Sequence, residues 1–86
     1  GVVINYGGQM ALDTVTVTNC GGNGILVVGG GVARPTNSTV SGSGDEDLKV
    51  TGAGFMLING STTYTTITPA LNTIGNGNGL ISDNLP

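Results

Sequence analysis

Apolar residues of this chain recur in short groups of alternate positions, separated by Gly and Asn, and the groups return every 23 residues. Residues 1–18 can be laid over residues 24–41 without a gap, and residues such as Gly8 and Gly31 or Val17 and Val40 then coincide. Further copies start at residues 47 and 70. Alternation is typical of strands, and a fixed period of about 20 to 50 residues indicates a repeat architecture.

The aligned copies separate into apolar and polar columns. Two apolar columns lie two positions apart and predict the inward face of a first strand. They are Val2, Ile25, Leu48, Leu71 and Ile4, Val27, Val50, Thr73. The column between them becomes polar in the later copies and is expected to face outward; it consists of Val3, Leu26, Lys49 and Asn72.

A glycine column follows and predicts a corner, where the backbone needs positive φ or close approach. It consists of Gly8, Gly31, Gly54 and Gly77. Three adjacent columns then carry a second apolar group whose inward phase stays open. They are Leu12, Pro35, Ile58, Ile81; Ala11, Arg34, Leu57, Leu80; and Met10, Ala33, Met56, Gly79.

A third strand is indicated by Val15 and Val17, repeated as Ser38 and Val40. A threonine column, expected to point the other way, consists of Thr16, Thr39 and Thr62. In the first copy the three predicted strands span residues 2–5, 9–12 and 14–18.

These columns favour an all-β fold, a single-stranded right-handed parallel β-solenoid of about four rungs of 23 residues. We expect one domain over residues 1–86, with rungs 1–23, 24–46, 47–69 and 70–86. The length of the turn favours the right-handed type. A sandwich of antiparallel hairpins is the alternative, because short strands separated by Gly and Asn turns suit it as well.

Composition narrows the function classes. The 86 residues include 17 Gly and no His, and only 8% are charged. Arg34 and Lys49 are the two basic residues and the net charge is −3, so nucleic acid is not an expected partner. No apolar stretch approaches the roughly 20 residues of a membrane helix, so membrane insertion is not expected. The absence of His excludes imidazole metal centres and His-based triads.

The ends of the predicted stack carry no recognisable cap. A terminal rung then presents unpaired N–H and C=O groups and an apolar edge. Either the chain is part of a longer solenoid, or another copy supplies the missing neighbour. We therefore expect a homo-oligomer or filament formed through open solenoid ends.

Few side chains carry chemistry. The acidic run Asp45, Glu46 and Asp47 could serve acid–base hydrolysis or calcium binding, and residues 41–48 resemble one copy of a calcium-binding nonapeptide. A solvated corner is the favoured interpretation, because such a calcium roll needs successive copies. No catalytic, cofactor-binding or metal-ligating residue and no cofactor are assigned, and the chain is not expected to be an enzyme.

Other polar residues leave alternatives open. Cys20 lies at a corner and is interpreted as a small turn residue, an intermolecular disulfide being the alternative. Asn37 and Asn59 begin Asn-x-Ser/Thr triplets that would permit glycosylation. The threonine column could be an ordinary sheet surface, an O-glycosylated surface or an ice-binding face.

Segments from Gly30 to Gly54, echoed by Gly7-Gly8 and Gly21-Gly22, resemble the repeats of self-associating autotransporter adhesins, and residues 11–27 resemble rungs of pectate-lyase-like β-helices and phage tailspikes. The resemblance implies a right-handed parallel β-helix outside the cell, on the cell surface or on a virion. It also implies a structural or adhesive module that stacks end to end or extends a surface fibre. The alternative is part of a tailspike or of a polysaccharide-binding or lyase β-helix, with carbohydrate as a partner.

Overall fold

The described part of the chain, residues 1–83 of a computed structural model, consists of short strands joined by tight corners. The strands are β1 (Val2–Ile4), β2 (Gln9–Asp13), β3 (Thr16–Thr18), β4 (Ile25–Val27), β5 (Val32–Thr36), β6 (Thr39–Ser41), β7 (Leu48–Val50), β8 (Phe55–Ile58), β9 (Ile67–Thr68) and β10 (Leu80–Asp83). A short 3₁₀ turn spans Asn76–Asn78. The three strands predicted in the first copy are therefore confirmed with small changes of boundary.

Each strand pairs in parallel with its equivalent in the next turn of the chain. One sheet has the order β1-β4-β7-β9, the second β2-β5-β8-β10 and the third β3-β6. Val2 pairs with Ile25, and Ile25 with Leu48, so residues 23 apart lie above one another. The parallel β-solenoid of about four turns is thus confirmed, and the antiparallel sandwich is wrong for residues 1–83. Right-handedness stays a prediction, in line with the strong preference of parallel crossovers for that hand.

The interior is built from the predicted apolar columns. Ile25, Leu48 and Val27 are fully buried, and the neighbouring Lys49 is half-buried on the outer face. In the second sheet the open phase is resolved, because two of the three candidate columns face inward. In the first three rungs their buried members are Ala33 and Met56, and Leu12, Pro35 and Ile58.

The glycine corner uses three consecutive positions for two different reasons. Consecutive residues with positive φ turn the chain in each of the first three rungs, as in type I′ turns. These pairs are Tyr6-Gly7, Gly29-Gly30 and Gly52-Ala53. The following Gly31 has no positive φ, but a Cβ there would lie 2.9 Å from the Ile4 carbonyl oxygen. Both expected reasons for glycine, left-handed backbone and close approach, are confirmed.

The 23-residue spacing fails in the fourth copy. Leu48 pairs with Ile67, nineteen residues on, and not with Leu71; Lys49 pairs with Thr68 and not with Asn72. In the second sheet Met56 pairs with Ile81, twenty-five residues on. The fourth members assigned to the apolar columns, namely Leu71, Thr73, Gly79, Leu80 and Ile81, are therefore wrong in register. Gly77 is displaced with them, since Phe55 pairs with Leu80 and brings Gly79 level with Gly54.

The change of register has a local cause. Thr39 pairs with Thr63 and Leu48 with Ile67, so Leu48 follows Thr39 by nine positions, whereas Ile67 follows Thr63 by only four. Ile67 and the buried Pro69 provide the apolar pair two positions apart that the first sheet requires. The segment 70–79 is the insertion that restores the chain to the second sheet at Leu80. Hydrophobic matching at Ile67 and Pro69 thus overrides the sequence period.

Candidate functional surfaces

The acidic run lies in the full-length corner between Thr39 and Leu48, beside the shortened corner between Thr63 and Ile67, and its last residue is structural. Asp47 is 2% exposed, and its carboxylate accepts hydrogen bonds from the N–H groups of Thr65 at 2.8 Å and Thr66 at 3.4 Å. In return, the Asp47 N–H donates to the Thr66 hydroxyl at 2.9 Å. Asp47 therefore holds the shortened corner at Thr65 and Thr66 against the preceding rung.

Burial by itself would raise the pKa of the Asp47 carboxyl. The hydrogen bonds from the backbone N–H groups of Thr65 and Thr66 outweigh it, so the pKa lies below its ordinary value. The other two acidic side chains do not join it, since Asp45 is exposed and Glu46 half-buried. Within residues 1–83 no group of three or more His, Cys, Asp or Glu side chains comes together as a metal site.

Inward hydroxyls line the corner between the second and third sheets. Ser38 is 2% exposed, and its Oγ accepts a hydrogen bond from the Val15 N–H at 3.1 Å and lies within donating distance of the carbonyl oxygens of Leu12 and Thr36. One rung on, the Thr62 Oγ1 accepts from the Ser38 N–H at 3.3 Å. The expectation that Thr62 continues the outward threonine column is therefore wrong. A one-residue insertion turns Thr62 inward, above Ser38.

The outward threonine column passes through Thr63 instead. Thr16 pairs with Thr39, and Thr39 forms a bridge with Thr63. All three side chains are exposed, while the alternating Val17, Val40 and Tyr64 face the core. Two residues beyond each of these threonines lies a second outward hydroxyl; these are Thr18, Ser41 and Thr65.

The first rung leaves the edges of three sheets open. The Val32 N–H donates to the Gly8 carbonyl and the Thr14 N–H to the Thr36 carbonyl. Residues of a parallel strand address its two neighbours alternately, so the backbone groups of Ala11 point away from the second rung. The side chains also show that the first rung is uncovered. Met10 is 40% exposed, whereas Ala33 and Met56, at the same position in later rungs, are 0% exposed.

The opposite end differs, because part of it is covered by the inserted segment. Leu71 packs against the core, and the Asn72 N–H donates to the Ile81 carbonyl at 2.7 Å. Alternation along β10 would otherwise leave that carbonyl pointing away from β8. The expectation that neither end carries a cap is thus wrong for this part of the fourth rung.

A small open cavity of about 240 Å³ lies beside the last strand of the first sheet. It is lined by Lys49, Val50, Thr51, Thr68 and Pro69. Small-molecule pockets usually measure about 300 to 1,000 Å³, so this one has room for a single sugar unit or an anion. Lys49 was expected to face outward, but its place beside Thr68 depends on the register change that the repeat did not predict.

Three further candidate residues, Cys20, Asn37 and Asn59, lie on the first three rungs. Cys20 is a free, half-buried thiol in the first rung, 3.8 Å from the Thr18 carbonyl oxygen. Asn37 is exposed at a corner with φ 49°, and its side-chain oxygen accepts a hydrogen bond from the Ser61 N–H at 2.8 Å. Asn59 is half-buried and makes further interactions. Glycosylation at either Asn stays a prediction.

Comparisons with known proteins give no relative. No protein-family model, no curated protein and no solved structure matches the chain. No helix among residues 1–83 has the length and apolar character needed to span a membrane.

Proposed function

We propose that this chain is a non-catalytic structural module of an extracellular, cell-surface or virion fibre, and that its first rung pairs with another layer of strands. The observation that supports this proposal is the open edge of the first rung. A further rung, from a second copy or from a neighbouring part of a longer chain, supplies backbone hydrogen bonds of the kind that already join the described rungs. An adhesive role would be exercised on the outer faces, which such stacking leaves free.

The interior columns support pairing at this end. Ala33 and Met56 are fully buried in the second and third rungs, whereas Met10, at the same position in the first rung, is 40% exposed. Covering that side chain and satisfying the outward backbone groups of β1, β2 and β3 both favour association. Because the far end is partly covered by Leu71 and Asn72, the two ends are not equivalent. Association through two first rungs closes as a dimer, whereas association of a first rung with the far end propagates.

Sedimentation velocity over a range of concentrations tests this proposal. The 8.4 kDa chain should form larger species as its concentration rises. Ala11→Pro should reduce this association, because Pro removes the outward N–H but is tolerated on an edge strand. Ala11→Val is the matched control, since it changes the same exposed side chain but keeps the outward N–H.

A monodisperse wild-type chain at high micromolar concentration would refute the proposal. Equal association of the folded Ala11→Pro variant and the wild type would also refute it. Electron microscopy then distinguishes closed dimers from filaments. Circular dichroism of both variants establishes that any loss of association is not loss of the fold.

A second candidate function is recognition of an acidic polysaccharide, as in part of a tailspike or lyase-like β-helix, and the cavity beside Lys49 favours it. A single ammonium group next to the hydroxyls of Thr51 and Thr68 suits a sugar carboxylate. Binding of uronic acid oligosaccharides by calorimetry tests this function. Lys49→Met should abolish binding, whereas neutral oligosaccharides should not bind to the wild type. Equal binding by the Lys49→Met variant would exclude this cavity as the site.

A further inference from the structure

A two-dimensional array of hydroxyl groups covers the third side of the solenoid. Two strands each contribute two outward hydroxyls, Thr16 with Thr18 and Thr39 with Ser41, and a third layer adds Thr63, with Thr65 at the bend that follows. Layers of a parallel sheet lie about 4.8 Å apart, and residues two positions apart on one strand lie about 6.6 Å apart. The hydroxyls therefore repeat regularly in two directions.

This threonine array is held in place by the backbone beneath it. The third layer belongs to no named strand, yet the Thr63 N–H donates to the Ser38 carbonyl and the Val40 N–H to the Thr63 carbonyl, both at 2.9 Å. The Thr65 N–H is fixed by the Asp47 carboxylate. Threonine side chains are also restricted about χ1, so the array is preorganised for a rigid, repeating ligand.

The outward hydroxyls contrast with the inward ones. Ser38 and Thr62 are fully engaged with the backbone of adjacent turns. Within residues 1–83, the hydroxyls of Thr16, Thr39 and Thr63 make no hydrogen bond to another group of the chain. Each can both donate and accept. The threonine array therefore offers free donors and acceptors at regular intervals, alternating with methyl groups.

The outward positions of this side carry no charged or aromatic side chain. The three segments 14–19, 37–42 and 61–66 contain no Asp, Glu, Lys or Arg, and their one aromatic residue, Tyr64, packs against the core. A sugar chain is usually held by aromatic faces and a few convergent polar groups, which are missing from this surface. A crystalline array of water needs neither, because it is itself a periodic set of donors and acceptors.

We propose that the threonine array binds the surface of ice. Its methyl groups disfavour disordered water, and its hydroxyls take the places of water molecules in the outermost layer of the crystal. This activity is independent of pairing through the first rung, since the array lies on a side face of the stack.

The test is partition of the fluorescently labelled chain between slowly grown ice and the remaining liquid. The wild type should enter the ice, and Thr39→Lys, at the centre of the array, should lower the incorporated fraction about tenfold. Leu26→Lys places the same charge in the same rung on another sheet and should have no effect. Ala11→Pro should also leave incorporation unchanged, which separates this test from that of end pairing.

Exclusion of the wild-type chain from ice would overturn the proposal. Equal losses for the folded Thr39→Lys and Leu26→Lys variants would overturn it too. Binding to crystalline cellulose that Thr39→Lys removes, without any incorporation into ice, would assign the array to a polysaccharide instead.

Discussion

Replacing Ser38 by Ala tests the inward hydroxyls, which distinguish this stack from a purely apolar core. The Ser38 Oγ is the acceptor for the Val15 N–H and donates to a carbonyl oxygen, of Leu12 at 3.1 Å or of Thr36 at 3.0 Å. Ala removes both functions. The site is 2% exposed, so water does not readily replace the hydroxyl.

The expected loss follows from the groups that remain. A buried donor or acceptor without a partner costs about 1 to 3 kcal/mol. Carbonyl oxygens accept at two positions and tolerate the loss better than an N–H group, so the Val15 N–H sets the magnitude. We expect a free energy of unfolding lower by about 1 to 3 kcal/mol, and a fall in Tm of about 4 to 8 °C for each kcal/mol in a chain of this size.

Thermal and urea unfolding, followed by circular dichroism, measure this loss. Thr39→Ala is the control, because Thr39 is the next residue and points outward; it should lose about 1 kcal/mol or less, the full range of strand propensity. Thr62→Val should resemble Ser38→Ala, since it leaves the Ser38 N–H without its acceptor. If Ser38→Ala costs no more than Thr39→Ala, the inward hydroxyls do not stabilise the stack and the reasoning fails.

Two further predictions concern single residues at corners. Thr14 has φ 56°, and Asn37, one rung on, has φ 49°. Asn adopts left-handed backbone more readily than a β-branched residue. Thr14→Asn should therefore raise the urea midpoint by an amount equivalent to about 1 kcal/mol. An unchanged or lower midpoint would contradict it. The folded pKa of Asp47 lies below its ordinary value of 3.8, so its stabilising effect is complete above about pH 4 and is lost as the pH falls further. Asp47→Asn should lower stability at pH 7 and make the loss between pH 5 and about pH 3 smaller than in the wild type; parallel losses in both proteins would show that Asp47 does not contribute.

The first three rungs could be predicted from the sequence because their physical signals agree. The apolar columns beginning at Val2 and Ile4, the glycine corners and the Thr16–Thr39 pairing all share one period. Where only apolar character was available, as at Met10, Ala11 and Leu12, the sequence left the phase open. The structure resolves it because Arg34, in the Ala11 column, faces outward while Pro35 is buried.

The fourth rung could not be predicted by extending the period. Leu71 and Ile67 are both apolar, and Ile67, with the buried Pro69 two residues on, reaches the first sheet through a short corner whose hydrogen bonds join Asp47 and Thr66. A column alignment contains no information about such a contact, because it compares equivalent residues and not residues that meet across a corner. The inward turn of Thr62 has the same origin, since a one-residue insertion reverses the face of every following residue.

Backbone nuclear Overhauser contacts test the stacked, parallel rungs most directly. Stacked rungs should give cross-rung contacts that join Val3 to Leu26, Leu26 to Lys49, and Lys49 to Thr68. Strong contacts between Hα protons of facing strands, which are characteristic of antiparallel hairpins, or contacts that join Lys49 to Asn72 in place of Thr68, would contradict it.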